Sequence, residues 1–265
     1  MVDDRIKSGK SGMFLVYQRI IKNYSDVDQE ILDYKGLKIS DSFIEEYYSV
    51  SYPRFNLVCS LVSKYLPSGS SILEVGPGYG FILLALKDMG YLAEGAELAE
   101  NIPAYSKAIS NENIPLHSYN IEQDDIAGDI KGYDLVIASE VLEHLHMSLV
   151  VSVGKIASMC RSGGIIFITV PNLYRLENYL KIFLRDNICE DFPACKINDY
   201  VRFVDLRTHP REPTMKDLVR AAQCNQLEII RKGFFSSSLK AKHPFLSLFI
   251  PPLLREHMFI LVKKS

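Results

Sequence analysis

The sequence predicts an α/β fold, a doubly wound, mostly parallel seven-stranded sheet with helices on both faces, an N-terminal helical lid and C-terminal insertions. Three observations carry that prediction. Short apolar runs bounded by Gly, Ser and Pro recur along the chain, and amphipathic helical stretches separate them. The first complete run empties into a glycine-rich turn, Ser71 to Gly80 (SILEVGPGYG), just ahead of an apolar helix. Strands buried on both faces read this way, and such sheets bind ligands at the carboxyl ends of their strands. The expected division is a helical lid or extension over residues 1–66 and the sheet domain over 67–265, with insertions near 185–208 and 234–254.

In chain order, Met13 to Ile21 reads as a helix, Ser42 with Glu45 matches a capping box ahead of Ile44, Tyr47 and Tyr48, and Arg54 to Leu66 repeats apolar residues at helical spacing. The cluster Tyr47, Tyr48, Tyr52 and Arg54 is open to two readings, packing or ligand contact. Phe81 to Met89 is the helix after the glycine turn, stopped by Gly90. Strands follow at Tyr91 to Ala96, ending at Glu97, then at Leu116 to Tyr119, Tyr133 to Ala138 and Ile165 to Val170. Ser139 to Leu145 begins a helix or turn, and Ser162, Gly163 and Gly164 announce the fifth strand. Leu173 to Leu184 looks helical, Arg185 to Thr208 has no steady period, and Thr214 with Asp217 caps a helix running to Cys224. A sixth strand spans Leu227 to Arg231 and a last one Met258 to Val262. Between them lies Phe245 to Leu254 (FLSLFIPPLL), too short and proline-broken to span a bilayer, which reads as core or as a subunit interface in a homodimer.

Composition narrows the function classes. The chain has 265 residues, 48% of them apolar, enough for a sizeable core, and a formal charge of −2 without a basic field, which disfavours nucleic acid as a partner. Five cysteines without a CxxC pair suit reduced thiols in a cytoplasm, and no run reaches the length of a transmembrane segment.

The chemistry-bearing stretch starts at the glycines. Gly76, Gly78 and Gly80 let a ligand approach the backbone, and Glu97, about twenty residues on, stands where strand-helix-strand nucleotide sites hold ribose hydroxyls. A structural alternative makes Glu97 a cap for a helix near Asn101. The third glycine comes one residue too early for a dinucleotide fingerprint, and Glu74 would repel a pyrophosphate.

These residues resemble the class I S-adenosylmethionine-dependent methyltransferases over roughly Tyr52 to Arg231. ILEVGPGYG is similar to that family's first motif, Glu97 in GAELAEN to its ribose acid, YDLVIASEVLEHL to its fourth-strand motif and SGGIIFITVPN to its fifth. The resemblance implies S-adenosylmethionine as cofactor and S-adenosylhomocysteine as product. It places them on Glu74, Gly76, Gly78, Gly80, Glu97, Leu98, Asn120, Ile121, Ser139 and Tyr52, with Asn120 replacing the more usual Asp. The expected acceptor is a small molecule or a sugar-containing compound, methylated at oxygen, since His144 can serve as base and the NPPY-type motif of many amine methylations is absent.

An alcohol acceptor needs a base, and Glu140, Glu143 and His144 would share one helical face after the fourth strand. His144, with Glu143 and His209, is the expected catalytic set. Two alternatives stay open. The pattern ExxEH plus His209 resembles the metal set of small-RNA terminal 2′-O-methyltransferases, and Glu143 with His144 is also an ordinary loop-anchoring pair. A protein that binds the cofactor without catalysis is the reading from another class.

Overall fold

The computed structural model describes residues 12–25, 41–99, 101–102, 107–125, 130–185, 211–237 and 244–265. Seven strands form one sheet in the order β3-β2-β1-β4-β5-β7-β6. They are β1 (Ser71–Val75), β2 (Leu92–Glu97), β3 (Leu116–Ser118), β4 (Tyr133–Ser139), β5 (Cys160–Pro171), β6 (Leu227–Phe235) and β7 (His257–Lys264). β1 to β5 are parallel, whereas β7 inserts antiparallel between β5 and β6. The reversal puts the first residue of β7, His257, opposite Pro171 at the carboxyl edge of the parallel strands.

Alternation along each strand divides the core in two. Ile72, Leu135, Ile137, Ile165 and Phe167 face one helical layer, while Leu73, Val75, Val136, Ala138, Ile166 and Ile168 face the other. The first layer is α1 (Gly12–Ser25), α2 (Asp41–Tyr65), α3 (Phe81–Asp88) and α4 (Lys107–Asn111). The second holds α5 (Leu149–Met159) and α7 (Met215–Cys224). α6 (Leu176–Phe183) follows β5, and α8 (Pro244–Phe249) lies between β6 and β7. The capping box expected at Thr214 and Asp217 is present, with both reciprocal bonds made.

Several elements depart from the sequence reading. Residues 41–65 form one helix with Pro53 inside, and Ser42 lies within its first turn. A proline inside a helix costs about 3 kcal/mol. Here a continuous buried stripe through Ile44, Tyr48, Phe55, Val58 and Val62 offsets that cost, with Tyr48 stacked on Tyr17 and Phe55 on Phe81. The strand expected from Ile165 begins earlier, at Cys160, so that Ser162 to Gly164 are part of β5, passed at a register shift against β4. β6 continues to Phe235, so its insertion starts later than expected. Phe245 to Leu254 is not core: Phe245 is 80% exposed, Phe249 83% and Leu253 66%. Among the described residues no helix is long and apolar enough to cross a membrane.

Candidate functional site

The carboxyl ends of β1, β2 and β4 open onto two adjoining cavities that share Tyr47, Gly76, Gly78 and Glu140. The larger, about 630 Å³, runs from the glycine turn past Glu97, Leu98, Tyr119, Asn120 and Ile121 to Val141, His144 and Leu145. The smaller, about 90 Å³, is lined by Arg54, Glu74, Phe81, Ile82 and Ser139. Its polar groups are incompletely matched: Arg54 Nε and Glu74 Oε2 are buried without a hydrogen-bond partner.

The glycines differ in what they serve. Gly80 has φ +82°, and a Cβ there would lie 2.5 Å from Ile109 Cγ1, so this position is filled by the protein itself. Gly78 has φ +52° with nothing within 4 Å of a Cβ, and its open side faces both cavities. Its amide donates to Glu97 Oε2 at 3.3 Å. Glu97 Oε1 accepts from the Leu98 amide at 2.9 Å and from Asn101 Nδ2 at 3.0 Å. The same carboxylate thus ties the glycine turn to the loop after β2 while it lines the larger cavity, and residues 103–106, over which the helix it was expected to cap would start, lie outside the described residues. Asn120 stands on the cavity wall in a turn closed by its Oδ1, which accepts from the Glu122 amide at 2.9 Å.

Charge is concentrated at the shared wall. Burial pushes Glu74 well above the ordinary carboxylate range; Arg54 and the Leu83 amide pull it down only partly, and Glu97 pushes it further up. Glu140 behaves oppositely. Burial alone would raise it, but His257, Arg54 and Thr169 outweigh that and hold it near 2. Its Oε2 lies 2.9 Å from His257 Nδ1 and 3.7 Å from Arg54, and its Oε1 accepts from Thr169 Oγ1 at 2.8 Å. Arg54 also donates to Tyr47 Oη at 3.2 Å.

The expected site residues separate into groups. Glu74, Gly76, Gly78, Glu97, Leu98, Asn120, Ile121 and Ser139 border one cavity or both. Gly80 supports the turn from behind. Tyr52 lines neither cavity and packs edge-on against Tyr48 at 5.6 Å. The tyrosine at the wall is Tyr47, because Tyr47, Ser51 and Arg54 share one helical face and Tyr48, Tyr52 and Phe55 the next. Glu140, Glu143 and His144 do not share a face: Glu140 adopts a left-handed φ of +57°, and only Leu142 to His144 form a single 3₁₀ turn. His144 reaches the larger cavity. Glu143 is 1% exposed beneath it, and burial next to Glu140 raises it well above the ordinary range. His209 lies outside the described residues. Sequence reasoning missed Tyr119 and left Arg54 and Tyr47 open between packing and ligand contact; the i, i+7 spacing of Tyr47 and Arg54 was the one available signal.

The sequence pattern of a methyltransferase domain family matches residues 51–232. The chain belongs to this family. The match begins within α2 and ends in β6, so this methyltransferase domain includes both Arg54 and the whole glycine turn. Among curated proteins the chain is similar to a ubiquinone biosynthesis O-methyltransferase of Rhizobium etli, 27% identical over 175 residues, covering 64% of this chain and 65% of the relative. It is also similar to a ribosomal protein L11 methyltransferase of Thermotoga petrophila, 22% identical over 120 residues, covering 43% and 44%. The chain thus spans less than two thirds of either relative's length. The fold matches that of magnesium protoporphyrin IX methyltransferase from Synechocystis, solved with bound S-adenosylhomocysteine. That match has a TM-score of 0.56 at 16% identity and covers 99% of this chain and 100% of the other. The methyltransferase domain is of the S-adenosylmethionine-dependent class I type, with its seven-stranded sheet and glycine turn in place.

Proposed function

We propose that this protein transfers a methyl group from S-adenosylmethionine to a hydroxyl of a small-molecule or glycan-type acceptor. The observation that carries the reading is a pair of unmatched atoms on residues of the small cavity, Arg54 Nε and Glu74 Oε2, beside the open face of Gly78. A cation and an acceptor oxygen in the cavity that the glycine turn borders fit the carboxylate and ammonium of an amino-acid group. Leu98, Tyr119 and Ile121 offer an apolar wall for a base, and Glu97 stands between the two ends, where ribose hydroxyls can donate to it.

The cofactor's sulfonium, when bound, supplies an electrophilic methyl group. The chain's own contribution is placement. Arg54 and Glu74 fix one end and the wall at Tyr119 to Ile121 the other, so the acceptor is aligned along one direction and water is kept from it. Oxygen as the acceptor atom is favoured by the Rhizobium relative, an O-methyltransferase by name, and by the imidazoles at this edge of the sheet. The left-handed turn at Glu140 takes away the common face on which a metal-assisted reading would depend.

Calorimetry with S-adenosylhomocysteine tests the donor site, and turnover of labelled S-adenosylmethionine with catechols and hydroxylated glycosides tests the acceptor class. Absence of binding, or binding unchanged by Glu97→Ala, overturns the site. Binding without methyl transfer to any hydroxyl favours a cofactor-binding protein without catalysis.

A further inference from the structure

We propose that the outward faces of α6 and α8 dock this protein on the surface of an anionic lipid bilayer. The inference goes beyond the acceptor reading above and does not depend on it. Both helices carry their amphipathic pattern inside out. In α6 the residues at i, i+3, i+4 and i+7, Leu176, Tyr179, Leu180 and Phe183, are all exposed, Phe183 to 84%. The buried side is the polar one. Asn178 Nδ2 donates to the Leu173 carbonyl at 2.8 Å and to Glu212 Oε2 at 2.7 Å, and Arg175, just ahead of the helix, pairs with Glu212 at 2.6 Å. A surface helix of a globular protein turns its apolar stripe to the core, and these bonds hold α6 the other way round. α8 repeats the arrangement, with Ser247 buried and Phe245, Leu248 and Phe249 exposed at i, i+3 and i+4.

One side chain ties the two elements together. Asn172, between β5 and α6, donates from Nδ2 to the carbonyls of Leu253 and Arg255, both at 2.9 Å, in the turn that follows α8. Both apolar faces are thereby anchored where Pro171 meets His257, at the edge of the sheet onto which the two cavities open.

Charge selects the occupant. From Ile229 to Arg255 the sequence has Arg231, Lys232, Lys240, Lys242 and Arg255 and no Asp or Glu, in a chain whose formal charge is −2. α6 adds Lys181 and is followed by Arg185; its one acid, Glu177, lies 3.2 Å from Lys181. A second copy related by a twofold axis would set these cations against themselves. Anionic headgroups instead attract them, while the acyl boundary takes the rings and the stems of Lys and Arg. With eight residues α6 is about 12 Å long, and no helix among the described residues can cross a membrane, so both helices lie in the interface.

The chain contains no tryptophan, so one introduced on this face reports on it alone. In the full chain carrying Phe249→Trp, vesicles of phosphatidylcholine with about 30% phosphatidylglycerol should shift the emission to the blue, and brominated acyl chains should quench it. Emission that is neither shifted nor quenched overturns the proposal. In co-sedimentation the unsubstituted chain should bind these vesicles at least about tenfold more tightly than pure phosphatidylcholine, and Phe245→Ser/Phe249→Ser and Tyr179→Ser/Phe183→Ser should each weaken binding about tenfold. Their unfolding midpoints should stay unchanged, because the side chains are exposed; where a midpoint falls, the tryptophan reporter decides. Equal binding to neutral vesicles, or affinity unmoved by both double variants, overturns the proposal. So does a dimer in sedimentation equilibrium that the same substitutions dissolve, without vesicle binding, which assigns the face to a second copy. None of these readouts requires methyl transfer, so failure of the acceptor reading leaves them intact.

Discussion

The two halves of the site are built by different means. The donor-facing half, from Glu74 to Ile121, is nearly contiguous in sequence and relies on backbone shape, a strand-end acid and an apolar wall. The corner around Glu140 joins Arg54 of α2, Glu140 after β4, Thr169 of β5 and His257 of β7, residues separated by up to 203 positions. One half is a local motif that any parallel strand-turn-helix unit can carry. The other exists only when four elements meet, and its charges hold one another in place.

That contrast can be broken most directly at Arg54. Arg54→Met leaves Glu140 and the other buried carboxyls without their guanidinium, and breaking a buried pair from one side costs about 3–5 kcal/mol. Denaturant unfolding should show that loss, with part of it recovered in the double variant Arg54→Met/Glu140→Gln. Next comes Gly80→Ala, which forces a Cβ against Ile109 at a left-handed φ and should cost about 2–4 kcal/mol of stability. Gly78→Ala has no such neighbour, so about 1–2 kcal/mol is expected in thermal unfolding, with a larger relative loss of S-adenosylhomocysteine affinity. Equal effects at the two glycines would erase the distinction between a turn packed by protein and one open to a ligand.

Glu97→Ala should weaken S-adenosylhomocysteine by about 1.5–3 kcal/mol, the range for a hydrogen bond to a charged group, in calorimetry at neutral pH. Its effect should stay on the donor side and leave the Arg54–Glu140–His257 corner unchanged. The smallest effect concerns pH. Glu143 and Glu74 are raised, so the stability they contribute is complete below the ordinary value of 4.5 and is lost as pH rises above it. Glu140 is lowered, so its contribution is present above that value and is lost as pH falls toward 2. Glu143→Gln should therefore flatten the decline of stability above pH 4.5 by at most about 1.4 kcal/mol per pH unit, read from unfolding midpoints across pH. A variant that steepens the decline would reverse the sign assigned to Glu143.

All seven strands, the helix after the glycine turn and the capping box at Thr214 were legible because they depend on short-range pattern: apolar runs, left-handed stops and side chains that bond three residues away. The errors share a cause. Pro53 and the Gly163–Gly164 pair signal breaks locally, yet tertiary burial and strand pairing carry the elements through them. Likewise Tyr52 and Tyr47 are equivalent by composition, and only the packing of α2 on Phe81 chose which one meets the cavity.

The sequence by itself determined the parallel core, the glycine turn and the acid of β2, because each is set by residues within one strand-helix-strand unit. Only the tertiary structure decided how the charges at the Glu140 corner are placed. Nothing in the spacing of residues 54, 140 and 257 announces a shared site. The antiparallel insertion of β7 brings His257 to the carboxyl edge, and the left-handed turn of Glu140 aims its carboxylate at the imidazole. Buried charges are tolerated where opposite charges and hydrogen bonds compensate them, and that compensation is a property of the assembled sheet.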